Sequence, residues 1–167
     1  MKKSDNNVVS LFEQTNQGVQ KAVLTDSMKM KRGGSLSNPT VAYETWGKLS
    51  KQKDNVVVIL TGLSASSHVA SHSNNSKPGW WEGIVGPDKA IDTNKFYVIC
   101  INSLGSCFGS TGPASINQIT GEPFRLTFPE LTIDDMATAT KLLLDKLDIK
   151  QINTCLLYTS PSPRDQR

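Results

Sequence analysis

Apolar positions along this 167-residue chain change their spacing several times, and each change marks an element. Thr40-Val-Ala-Tyr-Glu-Thr-Trp46 alternates β-branched and aromatic residues after the turn-like Arg32-Gly-Gly34 and Asn38-Pro39. That alternation predicts a strand, paired antiparallel with the segment near Lys21 to Ser27. Lys48 to Asn55 is a charged loop. Val56-Val-Val-Ile-Leu60 and Phe96-Tyr-Val-Ile-Cys-Ile101 are short unbroken apolar runs, the signature of strands buried on both faces of a sheet. Between them lies a Ser/Asn/His-rich loop that leads into Pro78-Gly-Trp-Trp-Glu-Gly83. Asn102 to Pro129 is rich in Gly, Ser and Pro and has no periodicity; excursions of that length in compact domains are usually functional.

Thr132-Ile-Asp-Asp135 predicts a helix start, with Thr132 accepting from the backbone while Asp135 reaches back. Met136, Thr140, Leu143, Leu144 and Leu147 then fall on one stripe through to Lys150. A further strand is predicted from Gln151-Ile-Asn153. Strand, long crossover, strand, helix, strand is the order of a doubly wound or hydrolase-type parallel sheet.

Composition narrows the class. Hydrophobic residues make up 37% of the chain, enough for a core in one domain. Residues 1–20 are polar and read as a loose lead-in without the apolar stretch of a secretory signal. No later segment approaches the ~18 apolar residues of a membrane span. The expectation is a cytoplasmic protein that does not enter membranes. The net charge of +3 is small and scattered, and the one basic cluster, Lys29, Lys31 and Arg32, has no interleaved aromatics. It reads as a solvated loop rather than a nucleic-acid or phosphate site. Cys100, Cys107 and Cys155 lack metal-ligand spacing, and their odd number reads as reduced thiols.

Residues 21–154 read as one α/β unit, and residues 155–167 break from it. Cys155-Leu-Leu-Tyr-Thr-Ser-Pro-Ser-Pro-Arg-Asp165 matches one reading frame of a common transposase sequencing adapter, against the plain alternative of a Pro-rich terminal loop. Residues 155–167 are therefore expected to be a non-native tail, to be set aside in fold reasoning. A sheet interrupted there would leave the Val56–Leu60 strand without a neighbour on one side, exposing an edge and favouring aggregation.

The chemistry-bearing residues take the reading only part of the way. No Ser/His/Asp set can be assembled. His68 and His72 share one Ser-rich loop, where a metal pair would need a helix and a nearby carboxylate or cysteine; they read as loop histidines making local hydrogen bonds, with no metal site. Gly105 to Gly112 contains neither a dinucleotide fingerprint nor a Walker lysine. Thr61-Gly-Leu-Ser64 directly follows a buried strand. Such a turn can aim backbone N–H groups at the oxygen of a tetrahedral intermediate, or it can be an ordinary strand-to-loop turn.

Longer motifs carry a family resemblance. Gly79-Trp-Trp-Glu-Gly-Ile-Val-Gly-Pro87, Ala90-Ile-Asp-Thr93, Asn102-Ser-Leu-Gly-Ser-Cys107, Gly109-Ser-Thr-Gly-Pro-Ala-Ser-Ile-Asn117 and Phe128-Pro-Glu-Leu131 closely resemble the homoserine O-acetyltransferase family. The likeness runs from about Met30 to Asn153. Members acting on homoserine typically carry His-Ala-Leu-Thr-Gly where this chain has Thr61-Gly-Leu-Ser-Ala65. Together with Lys31-Arg-Gly-Gly34 and Phe124-Arg-Leu126, that wording is closer to the serine O-succinyltransferase branch. Two departures stand out: Asp88 where glycine is common, and Gln118-Ile119 in place of Pro-Ala.

The resemblance implies the N-terminal part of an α/β-hydrolase fold with a mostly parallel sheet. It implies ping-pong acyl transfer from succinyl-CoA or acetyl-CoA, as co-substrate, to the hydroxyl of serine or homoserine, with no bound cofactor. The serine nucleophile would lie shortly beyond Thr154, with Asp and His later, so this chain alone would be inactive. Leu63 would donate its backbone N–H to the oxyanion, and Gly62, Leu63, Ser64 and Ala65 would shape the acyl pocket. The intact protein would be a homodimer working on small molecules. Two other classes compete: an esterase of the same fold, and a non-catalytic binding module.

Overall fold

The computed structural model describes residues 18–62 and 64–157. In chain order its elements are β1 (Gln20–Val23), β2 (Ser27–Lys29), β3 (Ser35–Ser37), β4 (Thr40–Trp46), β5 (Val56–Leu60), β6 (Val85–Gly86), β7 (Ile91–Asp92), β8 (Tyr97–Ile101), a 3₁₀ turn (Arg125–Thr127), helix α1 (Ile133–Lys146) and β9 (Thr154–Leu157). One five-stranded sheet has the order β1-β4-β8-β5-β9. β1 and β4 pair antiparallel, as do β4 and β8. β5 runs parallel to both β8 and β9.

The alternation in β4 divides the core. Val41 and Tyr43 face α1 and pack with Val56, Val58, Ala139 and Leu143. Trp46 points the other way and packs with Val57, Ile59, Val98, Val69 and Val85. β5 is buried on both faces because α1 covers one and the segment between β5 and β8 covers the other.

Capping starts α1. The Thr132 hydroxyl accepts from the Asp135 N–H, and Asp135 accepts in return from the Thr132 N–H at 2.8 Å. Asp135 is 2% exposed. Burial alone would raise its carboxyl, but hydrogen bonds from Thr132 and from the Lys31 N–H outweigh it and hold the group below the ordinary value. The predicted stripe holds at Leu143, and Ala139 joins it as a buried position.

Four boundaries differ from the sequence reading. β1 begins at Gln20, inside the polar lead-in, and residues 1–17 lie outside the described residues. Of the segment expected to pair with β4, only β1 does so; Ser27 belongs to the separate β2–β3 hairpin. α1 stops at Lys146 rather than Lys150, since Asp148 adopts a left-handed φ of 54°. The last strand starts at Thr154, not at 151.

The bare edge expected at β5 is filled. β9 pairs along it from Thr154 opposite Val57 to Leu157 opposite Leu60. Residues 155–157 thus join the ladder despite belonging to the segment set apart by its sequence, because ladder bonds use backbone groups that every such residue carries. Their side chains contribute little: Cys155 and Leu157 are exposed and Leu156 is half-buried. β9 is now the edge.

Candidate active-site crevice

In sheets with parallel strands, ligands bind outside the carboxyl ends of those strands. Here those ends are Thr61, after β5, and Asn102, after β8, and their loops are tied together. Thr61 donates from its hydroxyl to the Ile101 carbonyl at 3.3 Å. Ser103 donates back to the Thr61 carbonyl at 2.9 Å. Ser110 bridges the neighbouring strand, donating to the Asn102 carbonyl at 2.9 Å while accepting from the Ala42 N–H at 3.0 Å. The crevice wall also holds two buried polar atoms without a partner among the described residues, Asn102 Oδ1 and Ser106 Oγ.

Of the residues singled out by sequence, Gly62 and Ala65 are half-buried on this turn and Ser64 is exposed. The Ala65 N–H donates to the Gly62 carbonyl at 3.3 Å, closing the turn. Leu63 lies outside the described residues.

The histidines depart most from expectation. A carboxylate does sit beside them: Glu44, from the middle of β4, fully buried. Its Oε2 lies 2.9 Å from both His68 Nδ1 and His72 Nε2, and its Oε1 accepts from the Ser67 hydroxyl at 3.2 Å. The pattern of β4 holds the missed signal, since Glu44 is a lone acid at an inward position between Ala42 and Trp46. Sequence reasoning passed over it because its partners are more than twenty residues away.

Glu44, His68 and His72 place ligand atoms within 4.8 Å of one another, close enough to share a cation. His68 suits that role, because its Nε2–H donates to the Lys77 carbonyl at 2.8 Å and fixes the ring. His72 does not. Its Nδ1 accepts from the Asn74 N–H at 3.2 Å, so Nε2 carries the proton and presents a donor to Glu44. Ser67 and His72 are the hydrogen-bond donors to Glu44, and His68 Nδ1 lies beside the carboxylate with its ring held from the other side by Lys77. Among the described residues neither ring bonds to a serine hydroxyl. Glu44 also affects Cys100: burial, then the carboxylate's charge, pushes that thiol well up, leaving it an inert apolar residue.

The Gly79–Pro87 motif folds onto the same segment. Glu82 accepts from the Ser71 N–H at 2.7 Å, the Gly79 N–H at 3.0 Å and the Ser71 hydroxyl at 2.8 Å. The Gly79 and Ser71 amides, with help from Lys89, bring its carboxyl down to about 2. Trp80 donates from its indole to the Ser66 carbonyl at 2.8 Å. Asp88 explains its own departure from the usual glycine: its φ is 58°, the left-handed region glycine favours. Ile119, the other departure, is 82% exposed.

Two of the three residues of the basic cluster pair with α1 and its approach. Lys31 pairs with Asp134 and Arg32 with Glu130. A cleft of about 370 Å³ lies beside Trp46, His72, Gly86 and Thr93, near the start of β8 and away from the strand ends that form the crevice. Among the described residues no helix is long and apolar enough to cross a membrane.

A mixed sheet with parallel β8, β5 and β9, a helix on one face and loops gathered at the strands' carboxyl ends is the N-terminal part of an α/β-hydrolase fold. No protein-family model matches the chain. Individual relatives do. It is 51% identical over 143 residues to serine O-succinyltransferase of Xanthomonas campestris pv. campestris, a match covering 86% of this chain and 37% of that protein. Homoserine O-acetyltransferase from Bacillus anthracis is 31% identical with a TM-score of 0.77, over 84% of this chain and 39% of that one. Esterase E22 is 37% identical with a TM-score of 0.75, over 84% and 41%. The resemblance read from the motifs, to the homoserine O-acetyltransferase family and its serine O-succinyltransferase branch, is borne out by these matches. The chain spans about 37% of the length of the curated relatives.

Proposed function

We propose that this chain is the N-terminal part of an acyl-CoA-dependent O-acyltransferase acting on the side-chain hydroxyl of serine, or of its homologue homoserine, in a cytoplasmic amino-acid biosynthesis step. The match to serine O-succinyltransferases carries the reading. The crevice supports it, because the turn after β5 stands where a hydrolase fold places one oxyanion donor. In the reading, Leu63 supplies that N–H and Gly62, Ser64 and Ala65 line the acyl pocket. The nucleophile, acid and base come from sequence that this chain does not contain, so residues 1–167 alone do not turn over. We also infer that residues 155–167 are foreign to the parent. The departure of Cys155 to Asp165 from the preceding pattern, with its match to an adapter reading frame, supports this.

The test is release of free CoA by the complete enzyme, with succinyl-CoA and acetyl-CoA each offered to serine and to homoserine. The expected result is release that depends on the amino acid and is highest with succinyl-CoA and serine. Hydrolysis of simple acetyl esters with no CoA-dependent transfer would replace this reading with the esterase one, which the likeness to esterase E22 favours.

A further inference from the structure

The turn at residues 62–65 is short, and a donor on it must be held still to be useful. Its near end is fixed by Thr61, bonded to Ile101 and Ser103. Its far end runs through Ser66, Ser67 and His68, and each is held by a group from elsewhere in the fold. The Ser66 carbonyl accepts from Trp80. Ser67 and His68 both reach Glu44.

Glu44 is an odd choice for its position. It faces the core side occupied by Trp46, Val57, Ile59 and Val98, where an apolar residue would fit without desolvating a charge. A residue that breaks the local pattern in this way commonly serves function rather than stability. Its two oxygens are both employed, one on the Ser67 hydroxyl and one on the Nε2–H of His72, with His68 Nδ1 lying 2.9 Å from the second. His72 is in turn held by the Asn74 N–H, and His68 by the Lys77 carbonyl and, at 3.4 Å, by the Asn75 amide. The carboxylate thus joins the rigid centre of β4 to the first residues after the turn.

We propose that Glu44, with His68 and His72, is the positioning device for the turn at residues 62–65: a buried carboxylate in β4 that fixes the far end of the segment carrying the oxyanion donor and acyl pocket. The part concerning catalysis rests on the acyltransferase reading; the anchoring itself does not. In this proposal Glu44, His68 and His72 act through the turn, as positioning residues.

Two measurements test this, and they fail separately. The first is amide hydrogen exchange on this chain, wild type against Glu44→Gln and Ser67→Ala. Exchange at residues 64–68 is expected to quicken at least tenfold in Glu44→Gln and less in Ser67→Ala, while amides of the β4–β8 ladder keep their protection. Unchanged exchange at 64–68, or equal loss of protection everywhere, would overturn the anchoring. Ser67→Ala keeps the comparison available if Glu44→Gln does not fold.

The second is steady-state kinetics of the complete enzyme, in which Glu44→Gln is expected to lower kcat by about 10- to 100-fold with KM for acyl-CoA within about threefold. A rise in KM at unchanged kcat would overturn the positioning role. A wild type without acyl transfer would end the acyltransferase reading and leave the exchange result standing. The ring tautomer of His72, read by long-range proton–nitrogen correlation, is expected to be Nε2–H. Stoichiometric zinc uptake abolished by His72→Ala would make the cluster a metal centre and overturn the proposal.

Discussion

Glu82→Gln isolates the charge that holds the Gly79–Pro87 motif against the segment after β5. In the fold the carboxylate takes two backbone N–H groups and a hydroxyl, and its carboxyl drops from an ordinary 4.5 to about 2. At about 1.36 kcal/mol per pH unit that gap is worth roughly 3 kcal/mol. The side chain is 35% exposed, so screening by water brings the expected contribution to ~1–2 kcal/mol. Because the folded value lies below the unfolded one, the stabilisation is fully present above about 4.5 and is lost as the pH falls toward about 2. The glutamine amide of the variant cannot ionise, so the variant lacks this dependence. Urea unfolding followed by tryptophan fluorescence at pH 7, 4 and 3 measures both proteins. The expected difference is ~1–2 kcal/mol at pH 7, falling to less than half of that by pH 3. A difference that is the same at pH 7 and pH 3, or absent at pH 7, would refute the assigned role of the charge.

Other perturbations have equally direct readouts. Gly79→Ala places a Cβ within 2.1 Å of the Val69 carbonyl carbon; backbone cannot yield as a side chain does, so a loss of ~2–3 kcal/mol is expected in thermal unfolding. Thr132→Ala removes the hydroxyl half of the α1 capping box and should lower stability by about 1 kcal/mol, measured by urea titration. Leu143→Ala empties a fully buried position between α1 and the sheet, with an expected loss of ~2–5 kcal/mol in the same assay. Asp88→Gly relieves a left-handed φ of 58° and should raise the melting temperature slightly, by up to about 1 kcal/mol in free energy.

Local signals wrote most of this fold plainly. The unbroken apolar run of β5 and the alternation in β4 were enough to mark both as strands, though not that both flank β8, and Thr132 with Asp135 marked the first turn of α1 to the residue. Boundaries set by backbone conformation were less visible: nothing in the side chains around Asp148 announces a left-handed residue. Ser27 reads as the end of the strand that pairs with β4, yet it opens the β2–β3 hairpin instead. The site was legible where a motif stays contiguous, as in Gly79-Trp-Trp-Glu82. It was illegible where chemistry is assembled across the sheet. Glu44 and His68 are each ordinary in their own segments; only the pairing of β4 with β8 and the return of the loop after β5 bring them within 2.9 Å.

The bonds between Thr61, Ile101 and Ser103 join only groups from the first two-thirds of the chain. During synthesis these residues leave the ribosome before any strand that follows α1, and early segments fold as they emerge. The crevice wall can therefore act as a mould: β9, adding alongside β5 after α1, finds its neighbour already cast, and its register is dictated by a surface that took shape before that strand existed.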